Sequence, residues 1–194
     1  MRRVVITLTA LALVAATPRL IEAQHNEHTG RFEFTAVATS IGLPGNPTGQ
    51  APVDIVVNRW STEAERAELL KALKDGGQEE LLGKLQDLKP VGSIRINNQG
   101  LAYDLFYSHE RPNPEGGRDI VLGTDRPISA WEALNQPRSI DYPFTVIQMH
   151  LDNEGHGQGT IVLAAKVTAS DDGRYITVEN LAAGPIKLND IQQK

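Results

Sequence analysis

Apolar and polar residues alternate from Arg31 to Ala38 (RFEFTAVA), the period-two pattern of a half-buried strand. Ser40 to Pro52 breaks it with three glycines, three prolines and an asparagine, which predicts a loop. Val53 to Arg59 (VDIVVNR) reads as a second strand. The period then changes. In WSTEAERAELLKALKDGG, Thr62 and Glu65 stand at capping-box spacing. Ala67, Leu70 and Leu73 follow at helical intervals, and Gly76-Gly77 ends the run. QEELLGKLQDLKP reads as a second helix, with Leu81, Leu82, Leu85 and Leu88 on one stripe and Pro90 as its stop. The pattern thus predicts a helical hairpin over about 62–89, laid on a sheet by its leucine face.

Beyond Pro90 the period-two pattern returns. Val91–Asn97 and Leu101–Glu110 are joined by NNQG, a hairpin signal. Tyr103, Leu105 and Tyr107 share one face of the second segment. Arg118–Thr124 follows the RPNPEGG turn. In Phe144–Asp152, Thr145, Ile147, Met149 and Leu151 point one way, while Phe144, Val146, Gln148 and His150 point the other. NEGHGQG turns into Thr160–Ala169, SDDG turns into Tyr175–Glu179, and Ile186–Leu188 adds a short edge. Short links force antiparallel neighbours. The fold class is therefore mainly β: an antiparallel meander forming a barrel or sandwich, with the helical hairpin inserted between its second and third strands.

The N-terminus adds a compartment. Arg2 and Arg3 precede Val4–Ala16 (VVITLTALALVAA), an uncharged apolar run with the length of a signal-peptide core and too short to span a bilayer. Ala23 before Gln24 is the favoured cleavage point, and Ala16 is the earlier alternative. The expected organisation is a signal peptide over 1–23, a flexible polar segment over 24–30, and one β-rich domain over 31–194. Cleavage removes Arg2, Arg3, Arg19 and Glu22. That leaves 16 basic against 23 acidic residues, so the net charge moves from −5 to −7. Such a domain has no broad attraction for phosphate backbones or anionic lipid, which excludes nucleic acid as an expected partner. No stable membrane span remains after cleavage. The chain has no cysteine, so the core must hold without disulfides. Export without cysteine points to a bacterial periplasmic or secreted protein.

Candidate chemistry concentrates in one connection, TDRPISAWEALNQPRSIDYPF (Thr124–Phe144), between two strands. It holds Arg126, Trp131, Arg138, Asp141 and Tyr142 among three prolines. One reading is a rigid plug over the end of the β structure, its guanidiniums satisfying carboxylates and loop carbonyls. The other is a ligand-binding site, with Trp131 and Tyr142 as walls, Arg126 and Arg138 as anion hooks, and Asp141 beside them. His25 and His28 sit in the polar N-terminal segment with no third metal ligand nearby. Ser108 and His109 are adjacent on a strand, so their side chains face opposite ways and do not form a dyad. DNEGHGQG lacks the alternating oxygen donors of a calcium loop and reads as a hairpin turn. No nucleophile-elbow, zincin, phosphate-loop or dinucleotide motif occurs. No catalytic residue, metal or cofactor is assigned.

The segment GRDIVLGTDRPISAWEALNQPRSIDYPFTVIQMHLDNEGHGQG, within a likeness covering roughly Val53 to Leu188, resembles a group of exported bacterial proteins of unassigned function. The resemblance implies a bacterial origin and an exported domain, and carries no site residues. The expected function is a non-enzymatic binding or envelope-associated module for an unknown small molecule or envelope component. The alternatives are a hydrolase of envelope material, with a carboxylate or His150 as base, and a structural or protein-interaction domain.

Overall fold

The computed structural model describes residues 30–40, 49–97, 100–114, 116–128, 141–169, 176–180 and 186–194. The expected signal peptide (1–23) and nearly all of the polar segment after it lie outside these residues. Ten strands and one helix are described: β1 (Phe32–Ser40), β2 (Gly49–Val57), α1 (Glu63–Gln86), β3 (Gly92–Ile96), β4 (Ala102–Leu105), β5 (Tyr107–Pro112), β6 (Arg118–Gly123), β7 (Phe144–Leu151), β8 (His156–Ala169), β9 (Ile176–Asn180) and β10 (Ile186–Gln193). All described pairings are antiparallel. The strand order is β4-β3-β2-β1-β10-β8-β7-β6-β5, with β9 on the far half of β8. The result is a mainly β, nearly closed, barrel-like sheet.

Closure depends on one residue. The first and last strands of that order, β4 and β5, are consecutive in the chain and separated only by Phe106. The alternation slips there. Tyr103 and Leu105 belong to the interior cluster, whereas Phe106 and Tyr107 pack on the outside. Tyr107 therefore does not share a face with Tyr103 and Leu105, as plain alternation predicts. After the slip, β5 turns Ser108 and Glu110 inward, and both are buried. The edge of β5 is covered by the chain leaving β2: Ser61 N donates to Ser108 O at 2.9 Å, and Ser108 N donates to Ser61 Oγ at 3.0 Å.

The interior is filled. Phe34, Ile55, Ile94, Leu105, Ile120, Leu122, Ile147, Met149, Ile161, Leu188 and Ile191 are fully buried or nearly so and form one cluster. Each such side chain contributes roughly 1.5–3 kcal/mol of burial. Both faces of β7 are covered near its start, because Phe144 and Val146 lie under α1 while Ile147 and Met149 face the interior.

The expected helical hairpin is not what forms. One helix, α1, runs from Glu63 to Gln86, and only Gly77 (φ 68°, ψ −154°) leaves helical geometry. Glycine takes a positive φ without a Cβ clash, so Gly77 kinks the helix rather than ending it. The capping box at Thr62 and Glu65 forms as the spacing predicts. The inward stripe is Leu69, Ala72, Leu73, Leu81 and Leu85, so Ala67 and Leu70 do not carry it. This face packs on Phe144, Val146, Ala165 and Val167, on the outside of β7 and β8.

Three strands run longer than their pattern predicts. β2 starts at Gly49 instead of Val53, paired with β1 through Ser40↔Gly49. Pro52 is tolerated because the β3 ladder begins only at Val53↔Ile96, so its missing N–H faces the ladder's end. β8 starts at His156 instead of Thr160. A Cβ on Gly157 would lie 1.8 Å from the His150 carbonyl oxygen, so these glycines permit close strand approach rather than a turn. β10 is not a short edge but runs between β1 and β8. Its apolar spacing (Ile186, Leu188, Ile191) breaks alternation at Asp190, whose φ of 51° marks a bulge that re-aims Ile191 inward.

Candidate functional site

Where β6 ends, the chain crosses the strand ends held by two buried threonines. Thr124 N donates to Thr145 O, and Thr145 N donates to Thr124 Oγ1, each at 3.0 Å. The Thr124 hydroxyl donates to the Arg126 carbonyl. Thr145 Oγ1 donates to Leu163 O at 2.7 Å and accepts from Ile128 N at 2.9 Å. Ile128 is fully buried in the interior cluster. The first arm of the connection is thus locked at its backbone and anchored by an apolar side chain.

This lock sets the position of Arg126. Its backbone lies between Thr124 and Ile128, while the residue as a whole is exposed. Its guanidinium lies over the Tyr103 ring, 5.4 Å from the centroid. Tyr103 is partly buried against the interior cluster. A guanidinium on an aromatic face keeps its in-plane N–H donors available to an anion.

The far arm is held by other elements. Asp141 O accepts from Gln78 Nε2 at 3.0 Å, and Tyr142 OH donates to Glu179 Oε1 on β9 at 3.1 Å. Of the five residues expected at the site, Arg126, Asp141 and Tyr142 are described, and they are engaged by β4, α1 and β9 respectively. Trp131 and Arg138 lie outside the described residues.

A second polar group lies on the outer face of the sheet, in the cross-strand row Arg111–Asp119–His150. Asp119 Oδ1 is 2.7 Å from His150 Nδ1 and accepts from Asn113 Nδ2 at 2.9 Å. Its Oδ2 accepts from Arg111 Nε at 3.1 Å. The His150 hydrogen bond, aided by Arg111 and Asn113, holds the Asp119 carboxyl below its ordinary value against the opposing effect of burial. An ionised carboxylate only accepts, so Nδ1 of His150 carries the proton of this bond. This pair was not visible in the sequence, because 31 residues separate partners that only the β6–β7 register brings side by side.

At the other strand ends, Arg118 faces Glu110 at 3.5 Å beside the β7–β8 turn. Asp152 Oδ1 caps that turn by accepting Glu154 N and His156 N. Among the described residues, no three His, Cys, Asp or Glu side chains group as metal ligands would, and no helix is long and apolar enough to cross a membrane. No protein family, curated protein or solved structure matches the chain.

Proposed function

We propose that this protein is an exported, non-enzymatic binding module. Its ligand, a small molecule or an envelope component, engages the barrel end built around Arg126. The observation that carries this reading is the locked presentation of Arg126. Two buried threonines and Ile128 fix the backbone on either side, and the guanidinium rests exposed on Tyr103. A donor group held in place before binding loses little entropy when an anionic ligand arrives. Asp141 and Tyr142 belong to the same connection and are held at its far arm by Gln78 and Glu179; Trp131 and Arg138 lie in it by sequence, outside the described residues. Export rests on the charged and apolar pattern of residues 1–23 and on the resemblance to exported bacterial proteins.

The packed interior supports surface binding over carriage of a ligand inside the barrel. The Asp119–His150 pair keeps a hydrolase as the second reading, since its imidazole is oriented by a carboxylate. That pair sits on the outer face of the sheet, away from the strand end where Arg126 is presented.

Native mass spectrometry of the protein purified from its own host tests this. The wild-type protein is expected to carry a bound molecule that Arg126→Ala loses with its circular dichroism unchanged. Equal retention by both proteins, or an empty wild type, overturns the reading.

A further inference from the structure

We infer that the opposite strand ends, around Arg118, form a separate site for a small zwitterion of the amino-acid type. A depression of about 420 Å³ opens there. It is lined by Gly117 and Arg118 at the start of β6, by the β7–β8 turn Asp152–Gly155, and by Gln193 and Lys194 at the end of β10. That volume falls in the range of small-ligand pockets, and barrel mouths are among their usual places.

The walls are set before any ligand arrives. Asp152 Oδ1 accepts Glu154 N at 2.8 Å and His156 N at 2.9 Å. Asn153 Oδ1 accepts Gly117 N at 3.0 Å, and Gly155 O accepts Gln193 N at 2.9 Å. Gly117 (φ 75°) has no room for a side chain: a Cβ would stand 2.0 Å from the Leu151 carbonyl oxygen. Three segments distant in sequence are thereby tied around one depression.

Its chemistry has two signs. Arg118 projects from the interior face of β6 and is held on two sides, by a long 3.5 Å contact to Glu110 and by a bond to Gln193 Oε1. The Arg118 side chain keeps 26% of its surface exposed. A guanidinium has five N–H donors, so these two contacts leave a face for a carboxylate. On the turn that lines the same depression, Asp152 and Glu154 are exposed carboxylates. Asp152 spends Oδ1 on the turn, which leaves Oδ2, and its backbone bonds favour the ionised form. A carboxylate ligand alone would meet Arg118 and Lys194 but leave Asp152 and Glu154, and an amine alone would meet those two carboxylates but leave the cations. A molecule carrying both answers both.

The test is an amide-resonance titration of the isotope-labelled full domain with L-alanine, N-acetyl-L-alanine and L-alaninamide, which share a skeleton and differ by one charge each. L-alanine is expected to shift the amides of Gly117, Glu154 and Gly155, and loss of either charge is expected to weaken binding about tenfold. Arg118→Ala removes a partner of buried Glu110, so exposed Glu154→Gln serves as the second variant. It is expected to weaken L-alanine and L-alaninamide severalfold and to leave N-acetyl-L-alanine unchanged. The inference falls if L-alanine moves none of these amides, if all three compounds bind alike, or if Glu154→Gln changes nothing. Arg126→Ala is expected to leave the titration intact, which separates this site from the one at the other end.

Discussion

The side-chain oxygen of Gln78 accepts the backbone N–H of Val167 at 2.9 Å. The same amide donates through Nε2 to the Asp141 carbonyl at 3.0 Å. One helix residue therefore satisfies a strand donor on β8 and ties down the chain entering β7. The kink at Gly77, the preceding residue, places it there. Gln78→Ala is expected to cost about 1–3 kcal/mol, because it strands the half-buried Val167 N–H. Gly77→Ala is expected to cost about 1–2 kcal/mol through its positive φ. Denaturant midpoints measure both losses. A double variant no worse than the poorer single one would show that the two act through one contact.

Thr145 holds the Arg126 arm from below. Thr145→Val keeps the shape but leaves Ile128 N and Leu163 O without their hydroxyl partner, both in buried surroundings. The expected loss is about 1–3 kcal/mol. Amide hydrogen exchange at Ile128 is expected to accelerate more than at Ile147 in the β7 core, because the arm opens locally before the barrel does.

Acid pH should act through Asp119. Its folded carboxyl titrates below the ordinary value of 3.8, chiefly through the His150 hydrogen bond. The unfolded chain therefore takes up the proton first as pH falls. The stability tied to this group is complete above the ordinary value, and it is lost as pH drops through the lower folded value. Asp119→Asn is expected to flatten that part of the stability curve in urea unfolding between neutral pH and pH about 2. A wild-type acid limb that survives the substitution unchanged would assign it to other carboxylates.

The pairing of β7 with β8 should depend on the glycines of β8. Gly157→Ala forces a methyl group against the His150 carbonyl, and Gly159→Ala does the same 2.3 Å from the Gln148 carbonyl. The clash is with backbone, so the strands must part. Each variant is expected to lose more than the roughly 1 kcal/mol that separates residues by β-propensity alone. Thermal unfolding read at the two tryptophans measures this. Neutral substitutions would mean that β7 and β8 do not approach so closely.

Much of this architecture follows from the chain read alone. Strand alternation in β7 assigns Ile147, Met149 and Leu151 to one face, and all three are buried in the interior. The capping box of α1 is local chemistry, complete within Thr62–Glu65, so its spacing reveals it directly. What misled the reading were residues whose local meaning is ambiguous. Gly76-Gly77 marks a stop in most helices, yet here the chain recovers after one left-handed residue. Glycines in HGQG mark a turn by composition, yet they serve strand contact.

Local periodicity by itself determined the β class, the helix start and which residues of β7 share a face, because each depends on neighbours within a few positions along the chain. Tertiary structure decided that Phe106 bends one strand into both edges of the sheet, that the Asp190 bulge makes β10 a central strand, and that Asp119 meets His150. Those outcomes depend on register between segments tens of residues apart. A one-residue slip reverses every face in a strand, so only the packed sheet selects among the registers that the pattern allows.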